Sequence, residues 1–564
     1  MRRTLVVAAA VGAAVALLAG ASMPPARIAL DGGDGAVSGA IHIHTNRSDG
    51  RGSPDDVALA ASRAGLRFVI LTDHGDGTRV PDPPTYRSGV LCIDAVEVST
   101  TGGHLLAIGI PVAPYPLGGS ARAVVEDVHR LGGIAIAAHP DSPREDLRWR
   151  NWTLPVDGVE ILNLDTSWRR AVYRPGWRPL RLFAQSLLAY PFRPEEAIAS
   201  LLSVSPESAE SYLAAARDRR VSLLGGTDAH ARVGWHSEPG ENDYSLPFPG
   251  YEIVFRAIAV RLRPERPLSG DPDADAKSVV DAIRAGRLHT VVTGLAAPSA
   301  FEFTATNARG TASEGGALPP DGPVTLRVRG NAPDEFVTAF FDGSRAIAEH
   351  TGSDVSVTVP GPSGLYRAEI RAAGGAPVWI VSNPVFVRPP PADRQPARGA
   401  RTAGTAIFDG GDASAWRVEV SETSTASLTR APAGEGAALV FRYTLGGGVP
   451  AGQFAALVVE TRDGVAPYDR ATLRAWGDRP MRVSVQARVA VSASVDEAWG
   501  DSVYLDPTTR EVTLFFDEMA SRGATRTASP PVDRIHSLVL AVDLTNAHPG
   551  TSGEVRVLEA ELER

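Results

Sequence analysis

Nine residues of ligand type stand at the ends of short hydrophobic runs between Ile41 and Ala231: His42, His44, Asp49, His74, Glu97, His104, His139, Asp228 and His230. Half of the chain's 12 histidines belong to this set. Imidazoles mixed with carboxylates suit zinc, manganese or iron, and the donor types do not choose among the three. His-x-His at a strand end turns both rings to one side, because side chains alternate along a strand. Asp228-Ala229-His230 has the same spacing. Glu97 offers two oxygens and can bridge two ions, which one imidazole nitrogen cannot do. So many polar groups around one buried cleft would be costly without a cation. The chemistry to expect is that of clustered bound cations.

The elements that must carry these residues alternate between strand and helix from Gly39 to Gly294. Ala40 to His44, Phe68 to Thr72, Leu91 to Val98, His104 to Gly109, Ile134 to Ala138, Gly158 to Leu162 and Ser222 to Gly226 read as strands. Their apolar runs show little polar alternation, as a parallel sheet covered on both faces requires. Ser53-Pro54 is a helix start closed by Gly65, and Ser205-Pro206-Glu207 is a second start. Seven strands with intervening helices favour an α/β fold of the β/α-barrel kind over an open sheet. In such folds the C-terminal strand ends surround the ligand cleft, so residues distant in sequence converge.

After Gly294 the period becomes two, in Val324/Leu326/Val328, Val355/Val357/Val359 and Tyr366/Ala368/Ile370, as half-buried antiparallel strands require. The expected order is a barrel over 38–295, a β-sandwich over 296–388, a proline-rich linker over 389–403 and a second, jelly-roll-like sandwich over 404–564. At 564 residues the chain is too long for one core. Its net charge of −9 disfavours duplex nucleic acid and is neutral on small phosphate esters. Residues 1–22 read as an export signal, with Arg2 and Arg3 before the apolar run Leu5 to Leu18; an uncleaved membrane anchor is the alternative. The expected location is therefore periplasmic, cell-surface or secreted. Cys92 is alone and forms no disulfide within the chain.

His42-Ile-His44-Thr-Asn-Arg-Ser-Asp49, Leu71-Thr-Asp-His74, Val96-Glu97, His104-Leu-Leu, Ala138-His139-Pro140 and Thr227-Asp228-Ala-His230 resemble, in order, the motifs of the polymerase and histidinol phosphatase (PHP) family. The resemblance covers about the first half of the chain. It implies a distorted seven-stranded β/α barrel with a phosphoesterase site of two or three divalent ions. By position, His42, His44, Glu97 and Asp228 would hold the first ion. Glu97 would bridge to a second, completed by His104 and His139, and Asp49, His74 and His230 would hold a third. Some members carry histidine where Asp49 stands. Glu97, Asp228 and His230 are assigned as the catalytic members. Clustered cations neutralise phosphoryl oxygens and lower the pKa of bound water, so no side-chain nucleophile is needed. The end of the first sandwich also resembles an accessory domain of secreted members, and the C-terminal region resembles galactose-binding-like carbohydrate modules.

Arg144 and Arg232 follow metal motifs and could clamp phosphate, against the plainer reading of solvated arginines. Asp73 orients a ligand or caps its loop. The segment Asp165 to Arg220 has no counterpart in the family and is expected to roof or rim the cleft. Cys92 reads as a core residue and His129 as a solvated helix-end residue; His236 and His289 could neighbour the cleft and are assigned no role. Trp416, Trp476 and Trp499 read as core, with a sugar platform as the alternative. Three functions compete: an exported metal-dependent phosphoesterase acting on a small phosphorylated substrate or nucleotide; a 5'-3' exonuclease or nucleotide phosphatase on short oligonucleotides; and a non-catalytic cell-surface protein binding glycan through its C-terminal domain.

Overall fold

The computed structural model describes residues 23–564 apart from 174–175, 217, 235–244, 362–363, 375–376, 389–403, 434–435, 449–451, 462–463, 493–494, 524, 526 and 528. The expected export segment, the expected linker and His236 lie outside the described residues. The chain divides into two units. The first comprises Met1–Gly75, Pro81–Pro111 and Val128–Ala392; the second comprises Asp76–Val80, Val112–Asp127 and Asp393–Arg564.

Ten strands of the first unit frame the nine residues: β1 (Val37–Ile43), β2 (Phe68–Leu71), β3 (Val90–Asp94), β4 (Val96–Thr100), β5 (Gly103–Ile108), β6 (Ile134–Ala137), β7 (Gly158–Asn163), β8 (Ser222–Gly226), β9 (Ala259–Leu262) and β10 (Leu288–Val291). One sheet orders β10-β9-β1-β2-β3, with β1, β2 and β3 parallel and β9 antiparallel to both its neighbours. A second orders β8-β7-β6-β5-β4, parallel from β8 to β6. The two sheets meet at two isolated parallel bridges, Ile43 with Ala229 and His74 with Glu97. Backbone bonds hold both seams: His44 N donates to Ala229 O at 3.0 Å, and Gly75 N to Glu97 O at 3.1 Å. Ile41, Ile70, Leu106, Ile136, Leu224 and Val260 share one buried cluster between them.

Two strand expectations change. Leu91 to Val98 is not one strand; it breaks at Ala95 into β3 and β4, which belong to different sheets. The expected parallel direction also fails for β5, which runs against both β4 and β6. Only Thr101 and Gly102 separate β4 from β5, far too few for a crossover. Gly103 makes the turn at φ 111°, where a Cβ would stand 2.4 Å from Arg148 O. The reversal matters because it puts His104 at the start of its strand, on the rim where the other strands end. Helix α1 (Pro54–Arg63) begins as the sequence indicates. Ser53 Oγ accepts from Asp56 N, and Asp56 accepts in return from Ser53 N at 2.9 Å.

The sheet containing β10 continues into Val378–Ser382, so segments 38–295 and 296–388 share backbone pairing. The later strands of this unit form sandwich-like layers around Phe301, Phe303, Phe340, Tyr366 and Trp379. The second unit holds two six-stranded sheets whose pairings are antiparallel, packed on Leu439, Phe441, Leu457, Val485 and Leu540. Trp416 and Trp499 lie in that core, whereas Trp476 carries the Arg556 guanidinium over its ring. Among the described residues no helix is long and apolar enough to cross a membrane.

Candidate metal centre

The first ligand pair is placed by a bulge rather than by plain alternation. The β1–β2 register slips between Ile41 and Ile43, and His42 adopts φ 67° there. His42 and His44 are both wholly buried. His139 (φ 46°), just after β6, and Asp228 (φ 47°), just after β8, share this left-handed conformation. Histidine and aspartate tolerate it better than most residues, yet it stores strain that the surroundings must hold. Five non-glycine residues among those described have positive φ, and three of them are in this cluster.

All nine residues converge. Glu97 faces both sides of the cluster. Its Oε2 lies 3.1 Å from His42 Nε2, 3.1 Å from His44 Nε2 and 3.4 Å from His74 Nδ1. Its Oε1 lies 2.6 Å from His104 Nδ1 and 2.8 Å from His139 Nε2. Asp228 Oδ1 stands 3.3 Å from the Nε2 of His42 and of His44, and its Oδ2 stands 3.3 Å from His139 Nδ1. Asp49 lies 3.3 Å from His44 Nδ1, 3.2 Å from His230 Nε2 and 3.7 Å from His74 Nε2. The cluster opens on one side only: the side chains of Asp49, His74 and His230 are 46%, 35% and 20% exposed, against 0–3% for His42, His44, Glu97, His139 and Asp228.

Four groups within this cluster have ligand atoms within 4.8 Å of one another: His44/Asp49/His74/His230, His42/His44/Glu97, His74/Glu97/His104 and His42/His139/Glu160. Orphaned nitrogens test whether cations fit. Both ring nitrogens of His44, and Nδ1 of His139, are buried with no hydrogen-bond partner, although carboxylate oxygens stand 3.1–3.3 Å away. Proximity is present and hydrogen-bond direction is not. Ligand atoms about 2.1 Å from one ion, at tetrahedral or octahedral angles, are about 3.0–3.4 Å apart. The 3.1–3.3 Å spacings and the orphaned nitrogens fit divalent cations, whereas Glu97 Oε1 stands at hydrogen-bond distance from His104 and His139.

Electrostatics agree. Burial disfavours charge on Glu97 and Asp228, but His42, with His104 and His139 around Glu97 and His139 beside Asp228, holds both carboxyls well below the usual range. Burial likewise opposes charge on His44 and His139, and Glu97 and Asp228 outweigh it, pushing both rings up to about 9. His74 is the exception: burial, helped by His44, leaves it below the ordinary value.

A second layer orients the first. Glu160, in the middle of β7, was not among the expected site residues. Its Oε1 lies 2.6 Å from His42 Nδ1, which turns Nε2 of that ring toward Glu97. Its Oε2 accepts from His139 N at 3.0 Å and from Asn163 Nδ2 at 2.9 Å. A carboxyl inside the apolar run Gly158 to Leu162 was the available signal. Asp73 acts as a loop clamp, accepting from Thr45 N and Ser48 Oγ at 2.7 Å each. Tyr251 Oη donates to His44 O at 2.8 Å and accepts from Gly52 N at 3.2 Å.

Other expected residues lie elsewhere. Arg144 pairs with Asp146, and Arg232 is half-buried two residues beyond His230. His289 does not neighbour the cleft; it is buried in β10, 3.3 Å from Glu314 and against Phe301. His129 is paired, with Asp157 at 2.8 Å. Cys92 is buried, as expected of a core residue. Arg169, not singled out from sequence, is partly buried; Asp165 and, more weakly, Asp228 offset that burial and raise its pKa.

No family model matches the chain. It is 30% identical over 137 residues to the uncharacterized protein MJ1587 of Methanocaldococcus jannaschii, which covers 22% of this chain and 80% of that protein. The chain belongs to the same family as that protein. Among solved structures it is similar to a two-domain protein from Bacteroides vulgatus containing a predicted PHP-like metal-dependent phosphoesterase, at 14% identity and TM-score 0.30, covering 64% of this chain and 99% of that one. It is also similar to a family 11 carbohydrate-binding module from Clostridium thermocellum, at 14% identity and TM-score 0.24, covering 28% of this chain and 96% of that one.

Proposed function

We propose that the first unit is a metal-dependent phosphoesterase of the PHP type, and that the seven strands β1, β2 and β4–β8 are its distorted barrel. The observation that carries the reading is the meeting of nine ligand-type side chains from separate strand ends, with buried imidazole nitrogens that no hydrogen bond satisfies. Divalent ions held there would neutralise phosphoryl oxygens and activate water for in-line attack. Glu97 is the bridging carboxylate in this reading, since each of its oxygens faces a different set of imidazoles. Asp49, His74 and His230 line the open side by which a small phosphate ester reaches the buried ligands. Glu160 fixes the His42 ring, and Asp73 holds the loop bearing Asp49. A metal-stripped sample reconstituted with manganese or zinc should release phosphate from small monoesters or nucleotides. Asp228→Asn, which tolerates the left-handed backbone, should fold and lose at least about 100-fold in kcat. Phosphate release unchanged in Asp228→Asn, or absent with every metal tried, refutes the reading.

A further inference from the structure

The segment Leu164–Arg193 differs from the rest of the chain. It holds six arginines and one aspartate, a formal charge of +5 within a protein of −9. It forms helices α2 (Leu164–Tyr173) and α3 (Trp177–Ala189). α3 packs inside out. Its protected side is small: Ser186 donates to Ala197 O at 2.7 Å, and Ala189 is wholly buried. To solvent it turns Trp177, 73% exposed, Leu180, 52%, and Leu187 and Leu188, 46% and 45%. These positions follow i, i+3, i+10 and i+11, which is one stripe of a helix, and exposed Arg181 lies within it. Phe192 extends the surface, 67% exposed. Helices of globular proteins bury such a stripe, and a contiguous apolar patch of this kind marks an interaction surface.

We propose that this face docks on a bilayer containing anionic phospholipid. Tryptophan and leucine beside arginine are the side chains that enter the headgroup boundary, with the basic residues held by lipid phosphates. The charge decides against a second copy of the chain. A two-fold contact sets the same patch against itself, and exposed Arg181 would meet its own copy with no carboxylate of the segment to pair it, since the segment's one aspartate is held by Arg169. α2 follows directly on β7, and Arg170 pairs with Asp141, two residues beyond His139. Docking would therefore bring the metal centre to headgroup level. The inference does not rest on the reaction assigned to that centre.

The test is co-sedimentation of the full chain with phosphatidylglycerol-containing vesicles and with pure phosphatidylcholine vesicles, at low and high salt. The wild type should bind the anionic vesicles, and less so in high salt. The Leu187→Glu/Leu188→Glu variant should bind about tenfold or more weakly, and Arg181→Glu alone several-fold more weakly, at unchanged melting temperature and metal content. Residues 1–22 are common to all samples, so the differences report on α3. Equal partitioning of wild type and both variants overturns the proposal. So does a wild-type dimer, in size exclusion, that the same substitutions dissociate.

Discussion

Glu160 makes no contact with solvent, yet it sets which nitrogen of His42 faces the cluster. Carboxylates that orient a ligating imidazole typically contribute 10- to 100-fold to metal affinity. Glu160→Gln should therefore weaken manganese or zinc binding by about that factor, read by competition with a chromophoric chelator; an affinity within twofold of wild type would make Glu160 merely structural. A second expectation concerns protons. His44 and His139 are raised from 6.5 to about 9 in the metal-free protein. A raised folded value means that their ion pairs stabilise fully below about 6.5 and that this stabilisation is lost as pH rises through about 9. Cations need the neutral ring, so loading at pH 7 should release protons, and apparent affinity should climb between pH 7 and 9. Isothermal calorimetry in buffers of different ionisation enthalpy measures that release; none detected would contradict the arrangement. The nine residues were legible in sequence as a set, because most stand at or near the end of an apolar run and their groupings, such as His42-Ile-His44 and Asp228-Ala-His230, repeat ligand spacings. Glu160 was not, because it stands within such a run, where a carboxyl has no obvious partner until His42 and His139 arrive from 118 and 21 residues away.

At the level of elements, the strand runs themselves were legible from apolar patterning, but their direction and breaks were not. β5 reverses because two residues cannot span a crossover, and that short gap was readable in Thr101-Gly102. The break at Ala95 had one signal, Asp94 directly before it, but a single carboxyl does not show that the strands on either side pair into different sheets. The bulge at His42 was silent, because the left-handed backbone falls on a histidine and not on a glycine. Gly226 closes β8 beside this region, and a Cβ there would stand 1.7 Å from Glu160 Oε1. Gly226→Ala must push the carboxyl off His42. It should cost about 1–3 kcal/mol of stability in denaturant unfolding and should reproduce the metal-affinity loss of Glu160→Gln. Stability lost without that affinity loss would uncouple the glycine from the cluster.

Across the whole molecule, the two units have separate cores, one including Ile70 and Ile136 and the other Leu457 and Leu540. Only the first carries the ligand set. A ligand at 100 times its dissociation constant stabilises by about 2.7 kcal/mol, so chelation should lower one calorimetric transition by about 3–4 °C and leave the other in place. A uniform fall of both would show that the units unfold together. The seams between the two sheets of the first unit are single bridges, at Ile43–Ala229 and His74–Glu97. Each seam lies on or beside the side chains that converge on the cluster. Whatever clasps those side chains also staples the sheets, so a protein starved of cations would present its first protease-cleavable bonds there. Its lifetime would then follow the metal supply of its surroundings.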